Sequence, residues 1–173
     1  STILFVFAFW VIYFLGQLAT ILMARYFAIP SVLHSYGTQW PLETVSSLYT
    51  KTNLILIFGI GPAFCLGTAI VLLIAFTRIK QQHTFLRVLI IWLVFHGLNM
   101  FFGGYISGIA THTGMAYASN WIFDSQGIGK QEVIVSVMSI IFLVIFGYTA
   151  TSRFISTAPN NQIIQPGIRI LYI

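Results

Sequence analysis

Charge is what this sequence has least of. Asp and Glu together number three in 173 residues, and all charged residues make up 6% of the chain. A soluble domain usually carries about 25% charged residues. A chain this poor in charge has no surface that water would tolerate, which excludes an ordinary soluble globule. None of the acids falls inside an apolar run, which argues against an ion-coupled transporter built on intramembrane carboxylates. Cysteine is limited to Cys65, which rules out an intrachain disulfide and a cysteine-based metal site. Inside its apolar run, Cys65 reads as a small buried hydrophobe. No phosphate-binding loop, nucleophile elbow or dinucleotide fingerprint occurs. The net charge of +5 is not gathered into a cluster long enough to track phosphates, so no nucleic-acid partner is expected.

What is abundant is apolar surface, at 58% of residues with a mean hydropathy of +0.91. Four runs approach or exceed the roughly 20 residues that cross a hydrocarbon core: about 2–24, 53–77, 88–111 and 133–152. In lipid each backbone group needs a partner within its own segment, so these runs are expected to be helices. The expected fold class is therefore all-α, a polytopic integral membrane protein with about four transmembrane helices. One bundle is expected over 1–155, followed by a polar tail with a short apolar end over 156–173. The opening STILFVFAFW has no initiator Met and no basic start, which suggests a processed or partial N-terminus. It also lacks the marks of a signal peptide. The basic stretch Arg78–Arg87 favours a cytoplasmic turn under the positive-inside rule, in an expected bacterial inner membrane. The connection Arg25–Thr52, with Trp40, Pro41, His34 and Glu43, is expected to lie at the interface. Asp124, Lys130 and Glu132 read as solvated or interfacial charges.

The stretch Val88–Tyr117 holds the densest set of candidate functional groups. At about 100° per residue, His96, Asn99, Gly103 and Ser107 share one face, with Gly97, Gly104, Gly108 and Thr111 beside them. Leu98, Phe101, Phe102, Tyr105 and Ile109 fall opposite, on a face expected to meet lipid or a partner subunit. Gly104 and Gly108 form a small-xxx-small pair that permits close helix approach. The helix reads as the central packing element of the bundle. His96 is the one ionisable side chain deep in a run, a position that usually faces a bundle interior. Gln17, on the first run, is expected to hydrogen-bond to His96 or Asn99. His96, Asn99 and Gln17 are thus the candidate ligand-binding set for a cofactor, pigment or lipid of unknown identity. The competing reading makes all three polar glue between helices. A haem with two axial ligands finds only one intramembrane His here; a pigment on a single axial His stays open. On the second run Pro62 is expected to kink the helix. On the fourth, Ser136, Ser139, Leu143 and Gly147 form an expected packing seam.

FLGQLATILMARYFAIPSV, residues 14–32, resembles the first motif helix of site-2-protease-like membrane metallopeptidases. In that family a zinc-binding HExxH is followed by an Ala-Arg or Ala-Lys pair and a Gly-Ile-like turn. Ala24, Arg25, Phe27 and Ile29 match the trailing pattern. The two His positions hold Gly16 and Thr20, and the Glu position holds Gln17. Gly61-Pro62 resembles a Gly-Pro of the next core helix. Asn99 and Gly103-Gly104 stand in the place of a third motif, whose Asp before Gly is here Phe102. The resemblance implies a three-helix protease-like core plus one more helix, without metal and without hydrolysis, because hydrolysis needs a metal-bound water and a base. The leading expectation is a non-catalytic multi-span subunit packing with other membrane protein subunits in a larger complex. The alternatives are a cofactor-, pigment- or lipid-binding protein using His96, and an intramembrane metalloprotease-like protein.

Overall fold

The computed structural model describes residues 2–34, 37–39, 46–80, 83–111, 113–122 and 129–156. It is almost entirely helical. Four helical segments, Thr2–Tyr26, Lys51–Arg78, Thr84–Thr111 and Lys130–Phe154, are long and apolar enough to cross a membrane. The elements in order are α1 (Thr2–Tyr26), β1 (Val32–His34), β2 (Gly37–Gln39), a 3-10 turn (Ser46–Leu48), α2 (Lys51–Arg78), α3 (Thr84–Leu98), a π-helical turn (Asn99–Gly103), α4 (Gly104–Thr111), α5 (Gly114–Ile122) and α6 (Lys130–Ser156). The expected tail beyond Ser156, with His112, Trp40, Pro41, Glu43 and Asp124, lies outside the described residues.

The helices overrun the apolar runs because polar residues start and stop them. Thr50 caps α2, its side chain accepting from the Asn53 amide at 3.3 Å, as hydroxyl residues do at this position. At the start of α6 the Glu132 carboxylate accepts from the Gly129 amide at 2.9 Å. That is the return half of a capping box. Glu132 is only 1% exposed, so of the two expectations, solvated or interfacial, the solvated one is corrected. The helix dipole and the capping bond favour the anion where it is buried.

The α1 terminus turns the chain back on itself. Ile29 donates to the Ala24 carbonyl and Ala28 to the Arg25 carbonyl, both at 2.9 Å. Ala28 sits at φ 57° between them. This is the Schellman arrangement, and its customary hydrophobic contact is present: Ile29 and Ala24 are fully buried and cluster with Ile57. The chain then forms a short antiparallel hairpin, Val32 opposite Gln39. The hairpin packs on α1, where Thr38 donates to Gln17 Oε1 at 2.7 Å.

The core is a three-helix contact among α1, α2 and α3. α2 supplies its centre through Gly61, Cys65 and Ala69, which recur every fourth residue and are all buried. A Cβ on Gly61 would collide with the Thr20 hydroxyl and lie 2.8 Å from the Gly16 carbonyl oxygen. A Cβ on Gly97 would lie 2.8 Å from the Cys65 carbonyl oxygen. The central packing element is therefore α2, not the third span. Pro62 is accommodated inside a continuous helix.

Two further corrections concern the third span. Its bulky face is partly covered rather than outward: Leu98 and Tyr105 are 5% and 4% exposed, and Phe101, Phe102 and Ile109 are half-buried. Phe102 stacks on Phe142 of α6 at 4.5 Å between ring centroids, and α5 folds against α4 and α2. The polar face is divided instead: His96, Gly97 and Gly108 are buried. Asn99, Gly104, Ser107 and Thr111 are all exposed. A helical wheel separates the two faces, but it does not say which of them the later helices cover. On α6 the expected seam is the inward side: Ser139 is buried, and Leu143 and Phe146 pack on the Ile90–Leu98 cluster.

Stability in detergent micelles should respond in three ways. Gly61→Ala and Gly97→Ala should each cost about 1–3 kcal/mol, because backbone oxygens cannot step aside. Gly67→Ala, which meets nothing within 4 Å, should be neutral or gain up to about 1 kcal/mol from helix propensity. Ala28→Gly should stabilise by about 0.5–1 kcal/mol. It relieves about 1–2 kcal/mol of left-handed strain against the ~0.4–1 kcal/mol that a freer unfolded chain costs. Equal effects of all three core and surface glycine substitutions, or a destabilised Ala28→Gly, would contradict this account.

Candidate functional site

His96 is held where α3 meets the N-terminal half of α1. It is 4% exposed, and its Nε2 lies 3.1 Å from the Phe5 carbonyl oxygen. A carbonyl only accepts, so Nε2 carries the proton and donates. The ring sits among aromatics. Phe5 is 4.5 Å away between centroids, Phe95 5.5 Å, Phe9 5.6 Å and Trp92 6.5 Å. Trp92 continues the stack to Phe154 of α6 at 4.8 Å. The imidazole thus joins α3 to α1, and an aromatic chain carries the contact on to α6.

The three candidate residues do not converge. Gln17 lies roughly 18 Å from Phe5 along α1, at 1.5 Å per residue, and its amide oxygen is taken by Thr38. Asn99 begins the π-turn with its side chain exposed. Its Oδ1 folds back over Gly103, in the space a Cβ there would need. The turn is closed by the Gly104 amide donating to the Asn99 carbonyl five residues back, the hydrogen-bond span that defines a π-turn. So the pocket expected between His96, Asn99 and Gln17 is not assembled: one side chain faces α1, one the hairpin and one the outside. Equal spacing along a wheel fixed direction, while depth separated Gln17 from the other two.

The exposed strip is polar but largely self-satisfied. Ser107 donates to the Gly104 carbonyl at 3.2 Å and Thr111 to the Ser107 carbonyl at 2.9 Å. The Asn99 amide makes no such bond among the described residues.

The positions that resemble zinc-ligand sites are occupied by packing. The Thr20 hydroxyl donates to the Gly16 carbonyl at 3.1 Å, and Gly16 abuts Cys65 Sγ and Gly61. Among the described residues no three His, Cys, Asp or Glu side chains gather to hold a metal. His34 pairs with Gln39 across the hairpin at 3.1 Å, and His83 precedes α3.

Several polar contacts escaped the sequence reading. Tyr105 donates to Ser119 Oγ at 3.3 Å, in a buried bond between α4 and α5. Arg87 and Arg153 both lie over the Phe76 ring, with guanidinium carbons 4.6 and 5.6 Å from its centroid. The arginines could be found as the polar ends of apolar runs; their meeting on one ring could not. Outside the helices, Tyr49 has its hydroxyl buried without a partner among the described residues, and burial raises its pKa.

Replacing His96 separates bond from packing. His96→Leu should cost about 1 kcal/mol, the net worth of one hydrogen bond. His96→Ala should cost about 2–4 kcal/mol by opening a void among four rings. Unfolding in micelles reads the difference; a larger loss for Leu than for Ala would show that the bond outweighs the packing. No family model, curated protein or solved structure matches the chain.

Proposed function

We propose that this chain is a non-catalytic multi-span membrane subunit that packs within a larger membrane protein complex. The observation that carries the reading is the exposed amide of Asn99, midway along the Thr84–Thr111 segment. Hydrocarbon offers an amide nothing to bond, and leaving one there costs several kcal/mol. Gly104, Ser107 and Thr111 continue the same exposed strip, and small residues of this kind let a neighbouring helix come close. A partner helix along this strip would satisfy Asn99 and use the small surface.

The protease resemblance enters this proposal as a likeness of fold without the chemistry. Ala28 takes the left-handed turn at the position where the family has the glycine of its Gly-Ile-like turn, which supports the likeness. Gly16 and Thr20, at the histidine positions, serve the α1–α2 contact, where an imidazole has no room. In the membrane the Arg78–Arg87 turn faces the cytoplasm, since Arg78, Lys80 and Arg87 cluster there. We assign that membrane to the bacterial inner membrane.

A photo-crosslinker at Ser107, in native membranes, tests the subunit reading. The expected product is a discrete band joining this chain to a second membrane polypeptide. Asn99→Leu should cut its yield about 3- to 30-fold, the worth of an interhelical hydrogen bond at ~0.6–2 kcal/mol. Crosslinks to lipid alone, with a monodisperse monomer in mild detergent, would remove the proposal.

A further inference from the structure

Between α2, α3 and α6 lies a cavity of about 90 Å³. Its walls are graded along the helices. Leu73, Val94 and Phe146 line the deeper part, toward the middle of each helix, while Phe76 and Arg153 lie nearer the helix ends. Arg87 joins them there by stacking on Phe76. One Arg87 nitrogen, Nη1, donates to the Ile79 carbonyl at 3.3 Å. Its Nε is buried and without a partner among the described residues. The contacts to Phe76 bring the end of α2, the start of α3 and the end of α6 to one end of the bundle, so Arg78, Lys80, Arg87 and Arg153 share that end.

We propose that this cleft binds one anionic phospholipid, with its phosphate on Arg87 and Arg153 and part of an acyl chain in the apolar cavity below them. Guanidinium forks suit phosphate oxygens, and basic pockets between membrane helices on the cytoplasmic side are where acidic headgroups bind. A free phosphate would match the cations but leave the apolar well unexplained. A neutral lipid would fill the well and leave the buried Arg87 Nε unexplained. The order of the walls, charged at the helix ends and apolar toward mid-depth, is the order of head and tail in a lipid. Such a lipid would also bind α6 to the α2–α3 pair.

Native mass spectrometry of the full chain released from detergent micelles tests the site, with dioctanoyl phosphatidylglycerol, dioctanoyl phosphatidylcholine and inorganic phosphate as probes. Phosphatidylglycerol should be retained at about tenfold lower concentration, or less, than phosphatidylcholine. The pair Arg87→Gln and Arg153→Gln should erase that preference, while Arg87→Lys with Arg153→Lys keeps most of it. Ala150→Phe, which fills the cavity without touching the charges, should weaken both lipids. Equal retention of the two lipids, or a preference untouched by the glutamine pair, would overturn the site. So would displacement by inorganic phosphate with Ala150→Phe having no effect. If the glutamine pair fails to fold, the lysine pair and Ala150→Phe still decide the matter.

Discussion

The structure depends on how closely three helices approach one another at the Gly61–Cys65–Ala69 row. Gly16 meets this row from α1 and Gly97 from α3, each with no room for a methyl group. In an apolar solvent, helices gain little from burying apolar surface, so association rests on van der Waals contact and on hydrogen bonds between segments. Backbone-to-backbone approach maximises the first. Cys65 adds a weak bond of the second kind, its Sγ donating to the Ile12 carbonyl at 3.6 Å. The rest of the molecule is arranged around this junction: once α1 and α3 are fixed against α2, the placement of His96 against Phe5 follows.

Away from that junction the packing changes character. α6 has no glycine pressed into a neighbour; Gly147 meets nothing within 4 Å. It is held by rings and branched side chains, Phe142 on Phe102 and Phe154 on Trp92. Large side chains keep helix axes apart, and the space between α6 and the α2–α3 pair is where the cavity lies. The outer side of α6, from Val133 to Tyr148, is exposed and apolar. The chain thus divides into a tight trio and a more loosely seated fourth span, and its two arginine-bearing ends meet at the seam between them.

The helices themselves were legible in the sequence. A run of some 20 apolar residues can be satisfied in few ways, and each run became a helix, extended by its polar caps. The row Gly16, Gly61 and Gly97 was visible only as composition. Small residues announce that close approach is possible, not which helix approaches. The division of each face of the third span into buried and exposed parts has the same origin. His96, Leu98 and Tyr105 are buried by different neighbours, α1, α2 or α5, and those neighbours are remote in sequence. Gln17 was read as a polar group in search of a polar group, correctly in kind. Its partner Thr38 lies on a hairpin that no period-2 pattern marked. The candidate site failed as a set because spacing along a helix gives an angle, whereas meeting across helices also needs depth.

The π-turn at Asn99–Gly103 shows why the third span has both a buried and an exposed polar character. Before it, α3 faces α1 and α2. After it, α4 is covered by α5 and α6. A π-turn widens the helix and loosens its hydrogen-bond ladder, and such turns often occur at functional positions. Here the turn begins at an asparagine whose own carbonyl takes the five-residue bond while its amide faces outward. The backbone irregularity is satisfied within the chain; the side chain is not. Among the described residues nothing bonds that amide, and under the proposed subunit reading a neighbouring helix would supply the partner. That asymmetry makes Asn99 the position where the chain's architecture points beyond itself.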